Sequence, residues 1–525
     1  MSSDDIQDAL VRALADHNPW WQEGEQALRG ELPDRQKSDF YHLARPDEDS
    51  TQFEDAAVVG LVGPHGVGKT TLLKQFIHHQ LQQGVDPARF LYVPFDANAL
   101  YQLHSADQLQ QVLRYYEGRV LGRLEDSAPH FVILDDVHRV AHDNKPGVDG
   151  WGSVVRNTLD DEQGRNIVVA AGAAEQIRDE LDRVGFDSEE YDAQPILPEK
   201  FRDYIFTRYP DLEDGDTRVS PTPLRVGDGS LPHALETGEV EAFVETLRDQ
   251  HQRVADVSRR LQSQVAHYLT LGGVLSYVAD GEAVDAADVE PDAHQLLYQN
   301  LTATLYQDAP SMDSIRTIAD LERLCALAAR NRGREPIRFQ RLVDLFDVDR
   351  RTIRDSYLSV LEKLFILTAV TEYDNQRPRS TRLYLRDTGL VSALENKAPG
   401  AALNDLDYEA DLARIAGFDH TMRLAYGINA AQGNPEAPSV QYWRGRNGEV
   451  DYVFEVGDTP VPVALAYRSS TQQTKLDALA KFRDQYQTSM GVLVSGDTSG
   501  RIDPVMQRDN KGIIEIPYWL YLLLC

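Results

Sequence analysis

Two cysteines, Cys325 and Cys525, stand in a chain of 525 residues. They are far apart and form no metal-ligand pattern, which excludes a disulfide-built scaffold and makes a reducing cytosol the simplest setting. Positive charge is also short. Lys and Arg total 53 against 84 Asp and Glu, a net charge of −31, with a pI near 4.8. Most of the basic residues are arginine. Such a surface does not draw in nucleic acid or an anionic membrane at large, so any such contact needs a local basic patch. An acidic, lysine-poor composition suits a high-salt, halophilic cytoplasm, where screening weakens self-repulsion. No apolar run approaches the ~18 residues of a membrane-spanning helix. The start, Met1-Ser2-Ser3-Asp4-Asp5, is acidic and unlike a signal peptide. A cytoplasmic protein without a membrane partner is the expectation. The histidines show no metal-site spacing, and no Ser-His-Asp arrangement is visible.

What the chain does have begins with Gly63-Pro64-His65-Gly66-Val67-Gly68-Lys69-Thr70-Thr71. It fits G-x-x-x-x-G-K-[ST], follows the apolar run 56–62 and opens a helix-like stretch. Strand, glycine loop and helix together predict a phosphate cradle. Glycines let main-chain N–H groups curl round an anion, and the helix N-terminus adds its partial positive charge. In that reading residues 63–71 hold ATP, Lys69 reaches the β- and γ-phosphates, and the Thr70 hydroxyl holds Mg²⁺. A second apolar run, Phe131–Leu134, ends in Asp135-Asp136. Acids at the carboxyl end of a buried strand lie where open α/β sheets bind ligands. Asp135 is expected on the Mg²⁺ water shell. Asp136 takes the place of the acid that polarises the attacking water, one methylene shorter than the usual Glu.

Strand and helix signals alternate from 56 to about 200, with strands at 57–62, 90–95, 131–135 and 166–171, as in a parallel sheet sandwiched by helices. The fourth strand ends in Ala171-Gly172-Ala173-Ala174, side chains that cannot sense a phosphate by hydrogen bonding. Asn18-Pro19-Trp20-Trp21 either covers an adenine or anchors a lead-in segment. Residues 197–280 read as helical, with a solvated insertion at 211–217. From 312 to 395, helical periodicity, a turn at 347–349, a second helix and strands at 366–373 and 381–386 predict a winged helix. Arginine concentrates here, with eight against five acids over 330–355 and four against none over 377–386. Arg350, Arg351, Arg354, Arg377 and Arg379 are the candidate DNA contacts, the alternative being a packing module with a solvated arginine face.

These features resemble a prokaryotic, chiefly archaeal, family of AAA-type ATPases that join a P-loop core to a winged helix and a C-terminal domain of unknown function with a restriction-endonuclease-like core. The resemblance is carried by Asn18–Trp21, Leu197-Pro198-Glu199-Lys200-Phe201-Arg202-Asp203-Tyr204, Tyr268-Leu269-Thr270-Leu271-Gly272-Gly273 and Arg382-Leu383-Tyr384-Leu385-Arg386-Asp387-Thr388-Gly389-Leu390. His65-Gly66 stands where the family has Arg-Arg. The resemblance implies a nuclease-like site at Asp451, with Glu409 as helper. The family's Glu-Val-Lys falls on Ala464-Leu465-Ala466, however, and alanine ligates no metal, so hydrolysis of nucleic acid is expected to be lost; Lys475 or Lys481 could replace the lysine, but nothing nearby on that strand replaces the acid.

The resulting expectation is an α/β protein. Residues 1–50 form a lead-in, 51–200 a P-loop ATPase core, 201–310 a helical lid, 311–395 a winged helix, and 396–525 a degenerate nuclease-like domain. It binds ATP and Mg²⁺ and hydrolyses ATP with Lys69 and Asp136 as catalytic residues, driving a conformational switch on DNA or a protein partner, or within a homo-oligomer. The alternatives are a non-hydrolysing nucleotide-gated binding module and an ATP-dependent nuclease. Arg156, Arg165 and Arg178 are candidates for a charge-stabilising finger.

Overall fold

The computed structural model describes residues 12–32, 58–95, 105–124, 130–140, 150–161, 165–187, 190–212, 220, 222–273, 286–312, 315, 317–398, 400–433, 438–446, 448–496, 505–508 and 512–525. The insertion expected at 211–217 lies mostly outside them. The chain divides into two compact units. One runs to Leu197 and also takes in 303–314 and 363–365; the other holds 198–302, 315–362 and 366–525.

The first unit is built on five strands, β1 (Val58–Val62), β2 (Phe90–Pro94), β3 (His130–Asp135), β4 (Arg165–Ala171) and β5 (Tyr191–Pro195), in the order β2-β3-β4-β1-β5. Every pairing is parallel. Alternate residues feed two cores. Val58 and Val62 of β1 join Val132 and Leu134 of β3 on one face, with Leu109, Val112, Trp151 and Ile177 from flanking helices. Val59 and Leu61 join Ile133, Val168 and Ala170 on the other, with Leu72, Phe76 and Ile77 of helix α1 (Lys69–Gln82). Burial on both faces is why these strands read as unbroken apolar runs. β5, Tyr-Asp-Ala-Gln-Pro, has no such run; it is an edge strand, half-buried throughout.

Trp20 and Trp21 anchor the segment before the sheet. Both indole N–H groups donate to the Phe90 carbonyl, at 3.3 and 2.8 Å. Asn18 pairs with Tyr92 as a strand residue would, accepting from its N–H at 2.7 Å and donating to its carbonyl at 2.9 Å. The anchoring alternative is therefore the one realised.

In the second unit, a helix (Ile318–Asn331), a short strand β6 (Ile337–Arg338), a helix (Phe339–Phe346), helical segments Thr352–Leu358 and Ser359–Lys363, and strands β7 (Leu367–Val370) and β8 (Ser380–Leu385) follow in order. The three strands form one antiparallel sheet, β6-β8-β7. A helix of 26 residues (Leu406–Ala431) leads to a six-stranded mixed sheet. Its hairpin is β9 (Gln441–Gly445) and β10 (Gly448–Val456), followed by β11 (Thr459–Ala466), β12 (Gly491–Ser495), β13 (Met506–Arg508) and β14 (Ile513–Pro517). The apolar end of the sequence forms both β14 and a buried helix, Tyr518–Leu524.

Three sequence segments that carry the family resemblance meet in this unit. Asp387 caps the helix Thr388–Glu395 by accepting from the Leu390 N–H at 3.0 Å, and its other oxygen takes the Gly273 N–H at 2.7 Å. Gly272 is left-handed at φ 68°, and a Cβ there would lie 2.2 Å from Asp387 Oδ1. Tyr268 donates to the Glu199 carbonyl at 3.2 Å. Arg423 donates to the Pro198 carbonyl at 2.6 Å while also holding Asp419, which Arg386 holds from its other side. The matched residues are thus one buried polar junction. Asp387→Ala strands two main-chain donors; it should cost about 2–4 kcal/mol in urea unfolding, whereas exposed Asp249→Ala should change stability by less than about 0.5 kcal/mol.

Candidate functional site

The cradle forms where β1 ends. The Ile196 N–H donates to the Val62 carbonyl at 2.7 Å and the Gly63 N–H to the Ala171 carbonyl at 3.2 Å. A Cβ on Gly63 would lie 2.2 Å from the Ile196 carbonyl, so only glycine fits. Gly66 and Gly68 turn left-handed, at φ 75° and 99°, a region L-residues avoid. The turn aims the N-terminus of α1 back at the loop. Val67 is buried in the core and Pro64 and His65 are half-buried, so Gly63 through Thr71 form one continuous bend into the helix.

Lys69, also buried, folds its ammonium over that bend, donating to the carbonyls of Gly63 at 2.7 Å and Pro64 at 3.1 Å. The Thr70 hydroxyl donates to Asp135 Oδ2 at 2.6 Å, and the Tyr92 hydroxyl donates to the same oxygen at 2.8 Å. Asp135 is 3 % exposed, and its Oδ1 is buried with no hydrogen-bond partner. Burial first, then the neighbouring Asp136, raises its carboxyl above the ordinary range; the hydroxyls of Thr70 and Tyr92 and the charge of Lys69 pull the other way. A buried carboxylate in this state gains from a cation. The glycine cradle, the lysine, the hydroxyl and the unmatched oxygen fit a magnesium nucleotide. Asp136 follows in a left-handed conformation, φ 56°, which turns the chain sharply after β3. Its carboxylate lies 3.5 Å from Arg139 Nη2.

Sequence reasoning missed a segment that returns to this loop from 240 residues downstream. Thr304 Oγ1 accepts from the His65 N–H at 3.1 Å. Asp308, fully buried, sits between His65 Nε2 at 3.2 Å and His138 Nε2 at 3.0 Å. Burial alone would raise its carboxyl, but the two histidines outweigh it and hold it well below the usual carboxylate range. Asp308 also lies against Gly172 at the end of β4; a Cβ there would come within 2.6 Å of its Oδ2. No local sequence signal marks Thr304 or Asp308. Arg156, by contrast, is held by Glu190 at 2.7 Å and stacks on Phe186, and Arg178 is exposed near Tyr191. The side chain of Arg165 lies outside the described residues.

The arginines of the second unit separate into two groups. Arg332 points inward and pairs with Asp411 and with Glu395, the latter at 2.8 Å, while Arg334 pairs with Asp411 from an exposed position. Arg382 is fully buried against Glu449 at 2.6 Å. Only part of the charge counted along the sequence therefore faces solvent. Arg350, Arg351, Arg354, Arg377 and Arg379 do, although Asp355 accepts from Arg354 at 2.7 Å and lies 3.6 Å from Arg351. Arg350 reaches across to the Pro378 carbonyl at 2.5 Å.

Asp451 is buried on β10, where Lys475 meets it at 2.7 Å and the Leu465 N–H donates to it at 2.7 Å. Lys481 is exposed. Glu409 is not brought to Asp451; it accepts from the Tyr467 hydroxyl at 2.5 Å. Ala464 and Ala466 are packed in the core with Leu479, Phe482 and Leu493.

Comparison with known proteins matches residues 55–192 to the family model described as an AAA domain. Residues 282–400 match a domain of unknown function, DUF8612. No curated protein matches the chain. Among solved structures, the Walker-type ATPase of Pyrococcus abyssi aligns at TM-score 0.35 and 11 % identity, covering 69 % of this chain and 99 % of its own. The Aeropyrum pernix ORC1 protein in complex with DNA aligns at 0.26 and 15 %, covering 72 % and 97 %. The Thermotoga maritima RuvB Holliday junction branch migration motor aligns at 0.23 and 15 %, covering 73 % and 92 %. Among the described residues no helix is long and apolar enough to cross a membrane.

Two outcomes follow from the geometry. Tyr92→Phe removes a hydrogen bond that stabilises the Asp135 carboxylate, so its pKa rises further. The acid limb of magnesium-nucleotide binding, measured by calorimetry across pH, should then move to higher pH. Lys475→Ala leaves Asp451 buried beside a missing partner and should cost about 3–5 kcal/mol in urea unfolding, against less than about 0.5 kcal/mol for exposed Lys481→Ala.

Proposed function

We propose that the chain is an AAA-type ATPase whose Mg²⁺-dependent hydrolysis of ATP drives a conformational switch. The observation that carries this reading is the 2.6 Å contact between Thr70 at the start of α1 and Asp135 at the end of β3. It joins a phosphate loop to an acidic strand end through the two side chains a magnesium nucleotide needs. In this reading the main-chain amides of residues 63–71 bind the phosphates, Lys69 swings from the Gly63 and Pro64 carbonyls to the β- and γ-phosphates, and Thr70 and Asp135 hold Mg²⁺ and its water. The metal supplies charge neutralisation at the phosphates. Asp136 orients the attacking water.

The same reading gives the second unit the output. The order helix, strand, helix, helix and hairpin supports a winged helix, in which Arg350, Arg351 and Arg354 on the third helix and Arg377 and Arg379 on the wing would contact phosphates. The last domain is a degenerate nuclease-like module, because the lysine beside Asp451 occupies the carboxylate that a metal would need and β11 has Ala464 and Ala466 where a second acid and a lysine would be needed. A non-hydrolysing nucleotide-gated module is the second reading; the short Asp136 side chain and the alanine end of β4 favour it.

Phosphate release by the full chain tests the choice. The wild type should turn over ATP with Mg²⁺, and Lys69→Ala should lose that turnover by at least about 100-fold. If instead the wild type binds MgATP without releasing phosphate, and Asp136→Glu restores turnover, the second reading holds. Arg377→Ala/Arg379→Ala should weaken duplex DNA binding at all sequences and flatten its salt dependence by about two phosphate contacts.

A further inference from the structure

We propose that Arg139 is the cation this chain itself supplies to the transferred phosphoryl group, an inference that rests on the ATPase reading above. The left-handed Asp136 starts a tight turn, Val137–Arg139, that folds the arginine back over the end of β3. Its Nη2 lies 3.5 Å from Asp136 Oδ2 and 3.3 Å from Nε2 of His65 in the phosphate loop. The guanidinium thus stands between the acid expected to orient the water and the loop expected to hold the phosphates. In the ATPase reading the terminal phosphate is held between that loop and that acid.

Its partners position it without cancelling its charge. The short contact, 2.6 Å, is to the amide oxygen of Gln307, a neutral acceptor on the returning segment. The buried Asp308 is already taken by His65 and His138. When Nε2 of His65 donates to Asp308 it cannot also accept from Arg139. The carboxylate of Asp136 is at the long distance of 3.5 Å, and the arginine Nε is buried with no hydrogen-bond partner. A guanidinium held this way keeps most of its field for an incoming anion.

The site needs such a group. Asp135, Asp136 and Asp308 bring three carboxylates near the phosphate loop, and the end of β4 offers only Ala171, Gly172 and Ala173. Arg156 is committed to Glu190. In hydrolysis, a water oxygen bonds to the terminal phosphorus as the bond from that phosphorus to the β-bridging oxygen breaks. ADP leaves with the electron pair, and the proton of the water passes to Asp136. Negative charge grows on the bridging and terminal oxygens, and a cation placed there stabilises the transition state more than the bound substrate. Arginines in this role contribute about 10³–10⁵ in turnover.

The test compares wild type, Arg139→Ala, Arg139→Lys and Gln307→Ala in the full chain, reading MgATP affinity by calorimetry, phosphate release, and affinity for ADP with aluminium fluoride. Arg139→Ala should keep MgATP affinity within about threefold, lose turnover at least about 100-fold, and lose its preference for ADP–aluminium fluoride over ADP. Arg139→Lys retains the charge without the planar fork and should fall between the two. Gln307→Ala should lower turnover with little change in affinity. Wild-type turnover in Arg139→Ala or full activity in Arg139→Lys would overturn the assignment while leaving the ATPase reading intact. Equal loss of affinity and turnover in Arg139→Ala, both rescued by Lys, would show a structural role and overturn it as well. A wild type that neither binds MgATP nor releases phosphate would overturn both.

Discussion

A hydroxyl and a carboxylate 2.6 Å apart, on Thr70 and Asp135, tie the first turn of α1 to the end of β3. Two buried strands, β1 and β3, separated in the sheet by β4, can place these groups together only if all three end at the same edge. Parallel pairing in register provides that. Each end is then specialised by its residues: glycines after β1, two acids after β3, small apolar residues after β4. A buried carboxylate with one unmatched oxygen is costly to leave alone. The proposed magnesium nucleotide would supply the partner that this oxygen lacks within the described residues.

The cradle was legible in the sequence because its chemistry is local. Gly63, Gly66, Gly68, Lys69 and Thr70 lie within eight residues, and backbone conformations that only glycine tolerates leave a fixed spacing. Four of the five core strands were legible for a different reason: burial on both faces demands apolar side chains at every position. β5 escaped that signal because an edge strand beside β1 keeps Asp192 and Gln194 half-exposed. Thr304, Gln307 and Asp308 escaped because their meaning lies in residues 168 to 243 positions away, and nothing in Thr-Leu-Tyr-Gln-Asp announces a loop contact.

Charge counted along the chain misled in a specific way. Arg382 and Arg386 sit in a stretch with four arginines and no acid, yet one is buried against Glu449 and the other against Asp419. Arg332 is likewise turned to Asp411 and Glu395. A strongly acidic protein uses arginine internally because a planar guanidinium can satisfy several carboxylate oxygens at once. Arg350, Arg351, Arg354, Arg377 and Arg379 stay exposed, as do Arg330, Arg334, Arg338 and Arg341, and Asp355 tempers part of that charge. The alanines of β11 carry the converse lesson. They fill a core, and Asp451 has found its cation within the chain.

The central claim is that the bend from Gly63 to Thr71 grips a nucleotide triphosphate. Titrating MgATP into the purified chain in a calorimeter tests it most directly. The account predicts saturable heat at one site per chain, abolished by Lys69→Ala in a protein that unfolds at the wild-type temperature. No heat from the wild type, or equal heat from Lys69→Ala, would contradict it.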